Sequence, residues 1–75
     1  MIVPLNQVCM GSWACVISVD TDQQMQKRLF DFGLVPGTKV RLAYASPGGH
    51  VAAIELRGSV LALRDADLCR IRVQV

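Results

Sequence analysis

Aromatic side chains are scarce: the chain has one Trp, one Tyr and two Phe in 75 residues. Its core must therefore be aliphatic, and it offers no row of rings on which nucleic-acid bases could stack. Charge of one sign is also missing. The net charge is +2, and the basic residues of the second half, Lys39, Arg41, Arg57, Arg64, Arg70 and Arg72, are spread out against Glu55, Asp65 and Asp67. A scattered distribution of this kind reads as a solvated outer sheet face, not a phosphate-binding patch. His50 is the single histidine. No motif supplies it with a nucleophile or an acidic partner, and no phosphate loop or metalloprotease signature occurs, so the chain is not expected to be an enzyme. Cys9, Cys15 and Cys69 are odd in number and lack the close pairing of structural zinc sites. They fit a reducing compartment and the role of small buried hydrophobes, with no metal, cofactor or disulfide framework expected. Charge is absent from the first 19 residues, but Pro4, Asn6, Gln7 and Gly11 interrupt that run and no positive segment opens it. A membrane span needs about 20 predominantly apolar residues. The expectation is a cytoplasmic protein with no membrane insertion.

Aliphatic residues are plentiful. Apolar types make up 52% of the chain, and the mean hydropathy of +0.37 is high for a small domain. A chain this short buries only about 60% of the surface its unfolded form exposes, so some apolar side chains should remain outside as a contact patch. Residues 1–75 are read as a single domain, without linker, repeat or low-complexity segment.

Arg28 to Thr38 organises the chain, because helix stop signals and a turn signal follow each other within it. Gly33 can take the left-handed conformation that closes a helix, and Pro36-Gly37 suits a type II turn. Before this element, Val8 to Val19 reads as a strand or bent strand pair kinked at Gly11-Ser12. Thr21 and Gln24 have capping-box spacing, and Met25, Leu29 and Phe32 recur at helical intervals on one inward face, with Gln26 and Lys27 toward water. After it, Val40 and Leu42 alternate with Lys39, Arg41 and Ala43 as a half-buried strand. Ser46 to His50 is a loop. Val51–Leu56 and Ser59–Arg64 are strands about a tight turn at Arg57-Gly58. Asp65-Ala66-Asp67 forms a short helical turn, and Ile71 and Val73 mark a last strand. This pattern predicts a mainly β fold, an SH3-like barrel of about five strands with one short inserted helix. Closing such a barrel would also remove its exposed strand edges.

From about Leu5 to Val73 the sequence resembles the FeoA family, small cytoplasmic components of bacterial ferrous-iron uptake. The resemblance rests on Arg28-Leu29 through Gly33-Leu34, on Pro36-Gly37-Thr38 with Val40, and on Leu61-Ala62-Leu63-Arg64 followed by Asp65-Ala66-Asp67. It implies a non-enzymatic adaptor that contacts FeoB, the membrane Fe(II) transporter with a cytosolic GTP-binding domain. The same domain also occurs at the C-terminus of DtxR-like metal-dependent repressors. With no helix-turn-helix before it here, the expectation is the free-standing form, a monomer or a weak self-associator.

Contact residues are inferred from position. Tyr44, Pro47 and His50 belong to one loop on a rigid scaffold, and Tyr is favoured at interfaces. Arg57, at a hairpin tip, is a lever on a GTPase if its side chain reaches outward. Arg28 and Arg64 are the further candidates, with Arg64 alternatively pairing with Asp65 or Asp67. Leu34 and Val35 either form an exposed patch or, for Leu34, plug the barrel. Thr21, Gly33, Pro36, Gly37 and Gly58 are assigned to caps and turns. The alternative function is nucleic-acid binding, or a transcription-regulator-like role, through Arg41, Arg57, Arg70 and Arg72.

Overall fold

The left-handed stop at Gly33 sets the architecture of the computed structural model, which describes all 75 residues. Helix α1 (Gln23–Asp31) ends there with Gly33 at φ +93°. The amide of Leu34 donates to the carbonyl of Leu29 and that of Gly33 to Phe30, both at 2.9 Å, which is the paired bonding of a Schellman cap. The chain then drops Leu34 into the core and turns at Pro36-Gly37, where Thr38 N–H donates to Val35 O at 3.0 Å and Gly37 has φ +95°. Thr38, buried itself, donates its hydroxyl to Gly33 O at 2.8 Å, satisfying a carbonyl just beyond the helix.

Around this element run six antiparallel strands: β1 (Ile2–Pro4), β2 (Trp13–Val19), β3 (Lys39–Ala45), β4 (Val51–Leu56), β5 (Ser59–Arg64) and β6 (Ile71–Gln74). A 3₁₀ turn at Leu5–Gln7 follows β1, and a one-turn helix, α2 (Asp65–Leu68), precedes β6. The strand order is β1-β6-β2-β3-β4-β5. Two bulges bend the sheet so that it curls around its contents, one between Val16 and Ser18 in β2 and one between Leu42 and Tyr44 in β3. Inside lie sixteen packed aliphatic side chains, among them Leu5, Val16, Leu29, Leu34, Ile54, Leu56, Leu68, Ile71 and Val73. No aromatic ring is among them.

Several expectations change. There are six strands, because Ile2–Pro4 pairs with β6 at Val3↔Val73. The sheet has the SH3-like form expected, but β1 and β5 do not pair, so it remains open at that seam and its edges persist. Val8 to Ser12 is not strand: Gly11 has φ +84° and its amide bonds Leu42 O at 2.8 Å, so this stretch forms a turn and β2 begins only at Trp13. Thr21 does not cap α1. Asp22 takes the N-cap position, its carboxylate accepting from Met25 N–H at 2.9 Å, while the Thr21 hydroxyl reaches only Asp22 O at 3.4 Å. Asp and Thr are both good caps, so spacing alone could not separate them. Phe32 is 56% exposed, because the helix ends at Asp31 and the cap swings the next residue off the buried face. Gln26 does not simply face water; its amide donates to Val19 O at 2.8 Å and ties α1 to β2.

Candidate interaction surface

All four aromatic residues, Trp13, Phe30, Phe32 and Tyr44, stand on the surface. For Tyr44 the cause is the β3 bulge. Strict alternation after Val40 and Leu42 would turn Tyr44 inward, but the extra residue shifts the register to Tyr44↔Ala53 and leaves the ring 64% exposed. Tyr44 is thus available as a contact residue, whereas Leu34, at 0% exposure, plugs the barrel.

Tyr44, Pro47 and His50 all lie exposed at the β3–β4 end of the molecule. The loop is shaped by Gly49 N–H bonding Ser46 O at 2.9 Å and Ser46 N–H bonding Val51 O at 2.8 Å. His50 O accepts from Asp65 N–H at 2.8 Å, which ties the loop to α2. The His50 ring lies over Gly48, where an added Cβ would meet Cδ2 at 3.0 Å.

Arg28 and Arg64 come together. With Met25, Leu29, Phe32, Leu61 and Asp67 they line a groove of about 150 Å³ between α1 and β5. Arg64 Nε is 3.8 Å from Asp67 Oδ2, while Arg28 has no carboxylate within ion-pair distance. Arg57 is exposed, but its side chain does not extend freely from the hairpin tip as expected. Its turn residues Arg57 and Gly58 have φ +49° and +79°, the twist-matched type I′ geometry, and its side chain folds back over Gly33. An added Cβ at Gly33 would sit 3.3 Å from Arg57 Cδ and 3.4 Å from Nη1. Arg57 also borders an open cleft with Trp13, Thr38 and Lys39.

The residues of the nucleic-acid alternative are partly neutralised. Arg41 pairs with Glu55 across β3–β4 and stacks over Trp13 at 5.0 Å from the ring centre, and Arg72 lies 3.8 Å from Asp20. Trp13 is the surface residue that sequence reading passed over; an isolated Trp at a strand start carries no signal of its exposure. Cys9 and Cys69 are exposed and Cys15 is half-buried, so none is the buried hydrophobe expected. No three His, Cys, Asp or Glu side chains gather in a metal-holding arrangement. No helix is long and apolar enough to cross a membrane.

A FeoA from Chlorobium tepidum shares this fold with a TM-score of 0.93 and 29% identity, over 97% of this chain and 70% of that one. FeoA of Stenotrophomonas maltophilia, solved with zinc and described as a prokaryotic SH3 domain protein and candidate ferrous iron transport activating factor, matches with a TM-score of 0.82 and 27% identity over 99% of this chain and 89% of its own. A manganese-dependent transcriptional repressor matches 97% of this chain with a TM-score of 0.82, but at 19% identity and over 41% of its length, a likeness of fold alone. No curated protein matches the sequence significantly. The FeoA domain model spans residues 3–75, so with its SH3-like sheet and inserted helix this chain belongs to the FeoA family, which is linked to ferrous iron transport.

Proposed function

We propose that this protein is a cytoplasmic, non-catalytic adaptor that docks on FeoB, the membrane Fe(II) transporter, and modulates transport or GTP turnover by protein–protein contact. The observation that carries the reading is the FeoA domain match over residues 3–75. The exposed aromatics support it, since Trp, Tyr and Phe are enriched at protein interfaces and are placed here where the core has no use for them. Tyr44, Pro47 and His50, and Arg28, Arg57 and Arg64, are the residues to test. No nucleic acid enters this reading.

The test is a titration of the full chain against the isolated cytosolic GTP-binding domain of the transporter, followed by NMR shifts, with GTP turnover in parallel. Saturable shifts confined to one surface are expected. Absence of binding at high micromolar concentration to both that domain and the intact transporter in detergent would reject the reading.

A further inference from the structure

The sheet has two edges, and they are built differently. Edge strand β1 has three residues and contains Pro4, both of which discourage pairing with another chain. Edge strand β5 has six residues, and Val60, Leu61, Ala62 and Leu63 run through its middle without charge, proline or bulge. Such an edge is a template for a further strand unless something covers it.

The phase of the β4–β5 ladder identifies the free groups. A two-residue turn makes Leu56↔Ser59 a hydrogen-bonded pair, and alternation places the next at Ile54↔Leu61 and Ala52↔Leu63. The bond from Asp65 N–H to His50 O continues this phase. The N–H and C=O of Val60 and Ala62 therefore point away from β4. No second strand neighbours β5, and no loop or cap bond reaches these groups.

Beside this edge lies the α1–β5 groove, walled by Met25 from the helix, Phe32 from its C-cap and Leu61 and Leu63 from the strand. A space of 150 Å³ is too small for a helix, and elsewhere a cavity of about that size admits a benzene-sized group. Arg28 and Arg64 line it, and Arg57 sits at the hairpin tip where β5 begins. The one carboxylate in the lining is Asp67, which faces Arg64 and is 16% exposed. The basic side chains are thus in excess around an apolar slot and an open row of backbone groups.

We propose that the β5 edge and the groove beside it bind an extended acidic segment of a partner protein by strand addition. Its backbone would pair with Val60 and Ala62, an apolar side chain would enter the groove, and flanking carboxylates would meet Arg28 and Arg64. The proposal rests on the adaptor reading only in assigning such a segment to a protein partner. Its test requires no transporter, so the failure of one is distinguishable from the failure of the other.

The probe is a capped synthetic hexapeptide alternating Val and Glu, titrated into the ¹⁵N-labelled full chain. The expected result is saturable shifts at the Val60 and Ala62 amides, with slowed hydrogen exchange at both. A matched peptide with Lys in place of Glu should bind at least about tenfold more weakly, as should the Glu peptide to an Arg28→Glu, Arg64→Glu variant. Ala62→Pro removes an edge donor that the β4 ladder does not use, and should lower affinity about fivefold with the remaining spectrum native. Equal binding of the Glu and Lys peptides, full affinity of the proline variant, or shifts located elsewhere would overturn the proposal. So would no shift at millimolar peptide. Concentration-dependent protection of Val60 and Ala62 without peptide would overturn it in favour of a second copy on that edge.

Discussion

Replacing Gly33 by Ala is expected to destabilise the fold by roughly 1–2 kcal/mol, chiefly through the backbone. Gly33 sits at φ +93°, beyond the small left-handed region that other residues reach, and both Schellman bonds depend on it. A second contribution is steric: the new methyl would meet Arg57 Cδ at 3.3 Å and Nη1 at 3.4 Å. These atoms belong to the flexible part of an exposed side chain, so a shift of a few tenths of an ångström relieves the crowding. The backbone term should dominate. For a domain of this size each kcal/mol lowers the melting temperature by roughly 4–8 °C, so a loss of about 4–16 °C is expected in a thermal melt followed by far-ultraviolet circular dichroism. The same substitution in an Arg57→Ala background separates the two contributions. Arg57 has φ +49° with either side chain, so the change removes the obstacle and leaves the turn's backbone cost nearly as it was. The loss should persist in that background. A melt unchanged by Gly33→Ala would refute the cap, and full recovery with Arg57→Ala would refute the primacy of the backbone. Gly33→Val should be worse than Ala, because a β-branched side chain tolerates positive φ less well.

Leu34→Ala should cost roughly 2–5 kcal/mol in urea unfolding, since the side chain is fully enclosed and its removal leaves a cavity under the Pro36-Gly37 turn. A loss below about 1 kcal/mol would mean that the site collapses freely. Asp22→Ala should cost about 0.5–2 kcal/mol and Thr21→Ala much less, because only Asp22 caps α1; the reverse order in denaturant midpoints would restore Thr21 to that role. Tyr44→Ala should leave the melting temperature within a few degrees, as expected of an exposed side chain, and weaken transporter binding; unchanged affinity in the titration would take Tyr44 out of the contact surface.

What could be read from the sequence was local. The stop at Gly33, the turn at Pro36-Gly37 and the alternation of Ile71 and Val73 are each specified within a few residues, by steric freedom or by side-chain period. β1 could not be read in this way: three residues carry almost no periodic signal, and they become a strand only by pairing with β6 from the opposite end of the chain. Phe32 was misplaced for a related reason. Its spacing is that of a buried residue, but a helix cap breaks the period just before it. Tyr44, expected and found at the surface, belongs to strand β3 and not to the loop. The meeting of Arg28 with Arg64, and the folding of Arg57 onto Gly33, depend on how α1 lies along β5. No local pattern encodes that packing. The openness of the sheet was missed because a count of strands does not determine whether the first and last pair.

The wholly aliphatic interior also decides which spectroscopic signals will be informative. Trp13 is half exposed in the native state, with Arg41 stacked on its ring. Its emission should shift little when the protein unfolds, and near-ultraviolet circular dichroism should be weak even in a well-packed sample. A fluorescence melt would have little amplitude from which to read the transition of this fold, and a flat near-ultraviolet spectrum would be mistaken for a molten state. The same arrangement makes Trp13 a label for its own surface: a blue shift on adding a ligand would report a contact at the β2–β3 face, with little interference from the folding equilibrium.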